Sequence, residues 1–190
     1  TFTVARWGPM RSDDEWEQVK NRPPITMSDV HAVQHGATLA GHVLAQWNLN
    51  LALHAARRSV DRARIEARSG EYVHFLGEAL ASGRHFTEAE ERRGVPVVVL
   101  GSDLAEALFQ DQPAVGHTVR ITGRHFEVIG VMEPKGETGP GGEDDRVFVP
   151  LPSFQARVPF LRNAKGYTNV SQISIKLSDR GAADKAKEDI

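Results

Sequence analysis

The sequence predicts an α+β fold, and three observations carry that prediction. Residues 38–68 alternate with period two, a β-branched run at Pro96 to Leu100 is bracketed by Gly94 and Gly101, and helix-capping signatures begin short amphipathic stretches on either side of these strands. Strands and helices are interspersed, and no fixed-period repeat is present.

Taken in order, Phe2 to Arg6 alternates apolar and polar positions as an opening strand does, and Pro9 ends it. A polar loop from Arg11 to Pro24 leads to Thr26 and Asp29, a capping pair that starts a short helix carrying Val30 and Val33 up to Gly36. Leu49, Leu51 and Leu53 then alternate with polar or small neighbours, as do Ala63, Ile65 and Ala67 with Arg62, Arg64, Glu66 and Arg68. Two long antiparallel strands are predicted, joined near Arg58 to Asp61.

Thr87 stands three residues before Glu90, the spacing of a reciprocal N-cap, so a turn of helix is predicted there. Pro96 to Leu100 reads as a strand buried on both faces, followed by a helix capped by Ser102 and carrying Leu104, Leu108 and Phe109. Thr118 to Met132 reads as a hairpin turning at Gly123-Arg124, with Val119 and Ile121 facing Phe126 and Val128. After a Gly/Pro-rich loop from Glu133 to Asp145 come a strand at Val147 to Val149, a further strand at Gln172 to Leu177 and a helix capped by Ser178 or Asp179. That last helix stops at Ile190 with no strand to follow it, so the natural chain is expected to continue at this end, and at the Thr1 end as well.

Composition narrows the function. The 190 residues are 40% hydrophobic, enough for a substantial core. Lys plus Arg number 23 against 25 Asp plus Glu, so there is no cationic excess to displace counterions from nucleic acid. Cysteine is absent, which excludes disulfides, thiolate metal sites and a cysteine nucleophile. No apolar run approaches the roughly 20 residues of a membrane helix.

From Tyr72 to Pro150 a series of short phrases recurs in a fixed order: Gly83-Arg84-His85-Phe86 with Glu90, Val97-Val98-Val99-Leu100-Gly101, Leu108-Phe109, Pro113-Ala114-Val115-Gly116, Ile121-Thr122-Gly123, Phe126 to Val131, and Phe148-Val149-Pro150. Their order and spacing resemble the periplasmic core domain of MacB-like ABC transporter permeases. The resemblance implies a porter-like βαβ subdomain at 1–82 and 161–190, interrupted by a small α/β lobe at 83–160. It also implies a non-catalytic domain on the periplasmic side of a bacterial inner membrane, coupling the motion of flanking membrane helices to efflux. ATP would be hydrolysed by a cytoplasmic domain or subunit. A periplasmic adaptor protein, an outer-membrane channel and a dimer of the whole permease are the implied partners. An FtsX-like or lipoprotein-release-type permease domain is the alternative within the same membrane plan. The chain departs from the family pattern in the Arg-rich stretch Arg57 to Arg64 and at Gln110-Asp111-Gln112, where Gly is often found.

His31 and His35 lie four apart on one helix, the spacing of paired metal ligands and the basis of a metal-dependent hydrolase reading, but a third ligand would have to come from His42, His54, His74 or a remote carboxylate. Glu143-Asp144-Asp145 could hold a hard cation, yet lacks the ligand alternation of a calcium loop; Asp145 satisfying local N–H groups is the simpler expectation. Gly136 to Gly142 lacks the Gly-Lys-Ser/Thr ending of a phosphate-binding loop, and neither Ser69 nor Ser102 sits in a nucleophile elbow. Arg57, Arg58, Arg62, Arg64 and Arg68 read as a solvated sheet face or an acidic-partner surface, diluted by Asp61 and Glu66. Of Trp7, Trp16 and Trp47 at least one is expected in the core, and Pro134 to Gly142 is the expected mobile docking tip. No catalytic, cofactor-binding or metal residue is assigned.

Overall fold

The computed structural model describes residues 2–5, 23, 25–36, 40–69, 72, 79–110, 112–136, 142, 144–158 and 169–177. They form α+β architecture in two compact units, the first built from Thr1–Trp47 and Phe160–Ile190 and the second from Asn48–Pro159. The chain therefore crosses between units twice, once at Trp47/Asn48 and once at Pro159/Phe160.

In the first unit β1 (Phe2–Ala5) pairs antiparallel with β11 (Gln172–Leu177), from Phe2↔Ile175 to Ala5↔Gln172. The other edge of β11 pairs antiparallel with the start of β3 (Ala40–His54), so residues far apart in sequence lie side by side. A second, two-stranded sheet joins β2 (Ile25–Thr26) to β10 (Asn169–Val170). Helix α1 (Met27–Gly36) follows β2 directly. Its start is fixed as the Thr26/Asp29 spacing predicts: the Thr26 N–H and Oγ1 both donate to Asp29 Oδ2, at 2.7 and 2.9 Å. Val30 is buried and Val33 partly so.

The second unit is a closed ring of six strands with an extra edge strand. β3 turns into β4 (Ser59–Arg68); β4 runs parallel to β9 (Arg146–Pro150); β9 is antiparallel to β6 (Val97–Leu100); β6 is parallel to β8 (Arg124–Met132); and β7 (Thr118–Ile121) pairs with both β8 and β3. Register decides which side chains point inward. Leu53 opposes Ile121, Ile65 opposes Val147, Leu100 also opposes Val147, Val98 opposes Val128, and Val119 opposes Phe126. All nine of these residues are fully buried. Neighbours in register share a face, so one apolar surface runs round the ring and fills its interior, as in other small barrels. β5 (Leu80–Gly83) pairs antiparallel with the last residues of β8, from Gly83↔Gly130 to Leu80↔Met132, beyond the stretch that pairs with β7.

Three helices accompany the ring: α2 (Glu88–Arg92), α3 (Ser102–Phe109) and α4 (Leu151–Arg157). α3 buries Leu104 and Leu108 while Phe109 stays half-buried, and α4 brings the Phe154 ring to 6.5 Å from that of Phe126.

Several boundaries differ from the sequence expectation. The β3–β4 reversal lies at Ala55–Arg58, closed by the Ala55 N–H donating to Arg58 O at 2.8 Å, and Asp61 is already within β4. Polar Ser59 and Asp61 look like turn residues in sequence but are the exposed positions of a strand. The second hairpin turns at Thr122-Gly123, whose φ values of 50° and 78° match a two-residue turn that follows strand twist. Ser102 does not cap α3. Gly101 is the N-cap, and Ser102, one residue inside, has a buried hydroxyl without a hydrogen-bond partner. A glycine is needed at 101 because a Cβ there would run into the Asp144 carbonyl oxygen, while the Gly101 N–H donates to Arg146 O at 2.7 Å. β5 and α4 have no counterpart in the sequence reading: most of β5 is exposed and shows no alternation, and α4 follows β9 without a loop.

Two backbone positions give opposite expectations. Gln110, the C-cap of α3, has φ 51° and ψ −117°, a region that suits glycine. Gln110→Gly is expected to stabilise the chain by about 1 kcal/mol, and Gly101→Ala to destabilise it by more than about 2 kcal/mol, both read from urea denaturation midpoints.

Candidate functional site

The second unit concentrates its charge chemistry on the outer side of β4 and β9. Residues two apart on a strand share a face, so Arg64, Glu66 and Arg68 line up on β4, and the parallel register sets Arg146 opposite Arg64 and Phe148 opposite Glu66. Glu66 is 1% exposed. It pairs with Arg68 through Oε2, with Arg64 through Oε1 at 2.9 Å, and lies 3.8 Å from Arg146 Nη1. The Arg68 side chain is 8% exposed against 41% for Arg64, so the network runs from solvent into the protein. A carboxylate buried this deeply is tolerable only with such partners, and removing it would leave guanidinium groups buried without compensation.

An aromatic stack continues from the charges. The Arg68 guanidinium sits 4.7 Å from the centre of the Phe148 ring, a cation–π contact. Tyr72 lies 6.3 Å from Phe148 and stacks on Phe86 at 4.1 Å with an interplanar angle of 16°. The Tyr72 hydroxyl is hydrogen-bonded to His85 Nδ1 at 2.8 Å, and burial pushes its phenol well above the usual range. Strands β4 and β9 are thereby fastened to the segment that joins β5 to α2.

That segment has its own clamp. Arg84 donates twice to the Glu90 carboxylate, at 2.8 and 2.7 Å, while Thr87 completes the capping box predicted for α2. The Arg84 hydrogen bonds, reinforced by those from Thr87, hold the Glu90 carboxyl down to about 2. On the β9 side, Asp144 is buried and its carboxylate accepts the N–H groups of Lys135 and Gly136, at 2.9 to 3.1 Å. Asp144 thus holds the backbone at Lys135 and Gly136, where the glycine-rich stretch begins.

Two clefts adjoin the β3–β4 turn. The larger, about 800 Å³, lies between Arg58 and α3 residues Asp103, Glu106 and Ala107; the smaller, about 520 Å³, is lined by Ala55, Ala56, Leu108, Phe109 and His117. Arg58 and Gln110 border both, and Arg58 Nη1 donates to the Ala107 carbonyl at 3.4 Å.

The residues singled out in the sequence do not converge on a catalytic centre. His31 and His35 are exposed on α1, and among the described residues no three His, Asp or Glu are grouped to hold a metal ion. The Arg-rich run is divided: Arg57, Arg58 and Arg62 are exposed, whereas Arg68 is buried on Glu66, which corrects the reading of Arg62, Arg64 and Arg68 as one solvated face. Trp47 is half-buried; Trp7, Trp16, His74, Glu143 and most of Gly136 to Gly142 lie outside the described residues. The importance of Glu66, Tyr72 and Arg84 was missed. Only the Glu90 partner of Arg84 left a trace in sequence, as the third residue after the Thr87 cap.

Comparison with known proteins settles what this arrangement is built on. The family model of MacB-like periplasmic core domains matches residues 1–190. The chain belongs to this family. Among its relatives is the macrolide export ATP-binding/permease protein MacB of Nitrobacter winogradskyi, 29% identical over 182 residues, which cover 94% of this chain and 27% of that protein. MacB of Bdellovibrio bacteriovorus is 37% identical over 102 residues, covering 54% of this chain and 14% of its own length. The chain thus corresponds to about a quarter or less of these relatives. The crystal structure of the periplasmic region of MacB from Actinobacillus actinomycetemcomitans shares the fold, with a TM-score of 0.77 and 19% identity over 98% of this chain and 79% of that one. The extracellular domain of the ABC-type transporter YknZ from Gram-positive bacteria does so as well, with a TM-score of 0.73 and 19% identity over 97% of this chain and 86% of that one. Gly83, Gly101 and Glu90, all within the phrases that carried the resemblance, occupy positions of close backbone approach or, for Glu90, of helix capping with Thr87.

Glu66→Gln is expected to cost about 3 to 5 kcal/mol in chemical denaturation, the penalty for breaking a buried pair from one side. Glu90 gives a pH signature instead. Its folded value lies below the ordinary 4.5, so the stabilisation is complete above 4.5 and is lost as the pH falls toward about 2. The melting temperature of the wild type should exceed that of Glu90→Gln at neutral pH, and the gap should close across that window.

Proposed function

We propose that this MacB-like domain is a non-catalytic coupling and docking module of an ABC transporter permease, held on the periplasmic side by flanking membrane helices. The observation that carries the reading is the Glu66 network. It bonds β4 to β9; β4 is the hairpin partner of β3, through which the chain enters the second unit, and β9 leads into α4, after which the chain leaves it. Each covalent crossing is thus one element away from the strands that meet at Glu66, the first through β3 and the second through α4. A displacement of either crossing is passed to a stiff ring of strands instead of being absorbed in a loop, which is what a hinge or shear transmission between two units requires. The porter-like division at 1–82 with 161–190 and an inserted lobe at 83–160 belongs to the same proposal.

In this reading the domain's partners are the membrane helices of its own permease, a fused or separate cytoplasmic ATPase, a periplasmic adaptor and an outer-membrane channel, with a dimer formed by the whole permease. The test is to replace residues 1–190 by a short flexible linker in the intact permease. ATP hydrolysis in detergent should persist at the wild-type order of magnitude while export from cells is abolished. Export that survives the replacement overturns the proposal.

A further inference from the structure

Tyr72 joins two segments that are not neighbours in the sheet. It follows β4 by a turn, its N–H donating to Ser69 O at 3.0 Å, while His85 and Phe86 lie between β5 and α2. The Tyr72 ring is fully buried, whereas His85 is partly exposed and open to solvent protons. Their rings meet edge to face, 5.5 Å apart at 79°, and one hydrogen bond of 2.8 Å runs between the Tyr72 hydroxyl and His85 Nδ1.

Which atom donates follows from the surroundings. Burial keeps the phenol protonated across the physiological range, and the Phe86 backbone N–H is directed at its oxygen. Tyr72 is therefore the donor and Nδ1 the acceptor. Only an uncharged imidazole has a nitrogen that accepts; a protonated one presents two N–H donors. Protonation at Nδ1 would set two donors against each other, at an oxygen already engaged by Phe86.

The charged groups around this contact come from several elements. Arg84 donates to the His85 carbonyl oxygen at 3.1 Å, and Glu90 of α2 holds the same guanidinium. Arg68 of β4 acts on the phenol and is itself paired with Glu66, which Arg64 and, from β9, Arg146 also reach. Glu127 of β8 acts on Arg84. Glu90 is held down to about 2, so the Arg84–Glu90 clamp persists far below the pH at which a histidine ordinarily titrates, roughly 6.5.

We propose that His85 is a pH-sensitive latch: uncharged, its Nδ1 holds the Tyr72 turn to the His85–Phe86 segment, and protonation there releases that tether while the Arg84–Glu90 clamp stays shut. The bond stabilises only the uncharged ring, so its contribution is complete at neutral pH and is lost as the pH falls. β4 and β9 are thereby fastened tightly to the segment between β5 and α2 at neutral pH and loosely in mild acid. The latch is a property of this chain; only its effect on export rests on the coupling role proposed above.

The test uses the isotopically labelled 190-residue chain. In an NMR titration, Tyr72→Phe removes the donated bond and should raise the midpoint of the His85 ring by about 0.5 to 1. Amide hydrogen exchange from Gly83 to Thr87, corrected for its intrinsic pH dependence, should be about five-fold or more faster at about pH 5.5 than at about pH 7.5. His85→Asn supplies an acceptor oxygen near the Nδ1 position that does not titrate, so its exchange should agree at the two pH values within about two-fold. Glu90→Gln should keep the wild-type response. A His85 midpoint unchanged by Tyr72→Phe, no acceleration in the wild type, or an acceleration that His85→Asn retains or Glu90→Gln abolishes would each overturn the proposal. The wild-type comparison stands even where a substitution prevents folding, and none of these outcomes alters the linker-replacement result.

Discussion

The pairing of β7 with both β3 and β8 closes the strands of the second unit into a ring, and the rest of that unit follows from the closure. A closed ring leaves no free edge among its members and gives every strand an inward face. Those faces must all be apolar and in register, and they are, from Leu53 through Ile65 and Val147 to Val98, Val128, Phe126 and Ile121. Once the interior is filled, polar side chains on the same strands have only the outside available. That restriction places Arg64, Glu66, Arg68 and Arg120 on the outer side.

Charge on this outer surface is used in two ways. On β4 and β9 it is buried: Glu66 gathers Arg64, Arg68 and Arg146, and aromatic rings from Phe148 to Phe86 cover the result. On β7 and β8, Arg120, His125 and Glu127 are exposed on that side. The first arrangement ties β4 to β9 through Arg146.

Much of this was legible in the residues. Alternation at 63–67 revealed β4, the Thr87/Glu90 spacing revealed α2 with its cap, and the glycine-bracketed run at 97–100 revealed a strand buried on both faces. These are local signals, governed by side-chain period and capping within a few residues. Turn positions were displaced by one to three residues, because Ser59, Asp61 and Arg124 are polar for the reason that exposed strand positions are polar, and not because the chain reverses there. β5 and α4 left no trace, since each is held by its neighbours in space and not by its own pattern.

The sequence by itself determined the α+β class, most of the strands and helices, and through its ordered phrases the MacB-like family. It also determined that thiolate chemistry and a phosphate-binding loop are absent. Only the tertiary structure decided that β7 closes a ring, that Glu66 is the centre of a buried network and not a dilution of surface arginines, and that His54, Arg120 and His125 stand in one row. The strand pairs behind them include Leu53↔Ile121, His54↔Arg120 and Arg64↔Arg146, whose members are 68, 66 and 82 positions apart. Side-chain period shows that two strands each have an apolar face; it carries no information about which strands pair, or in what register.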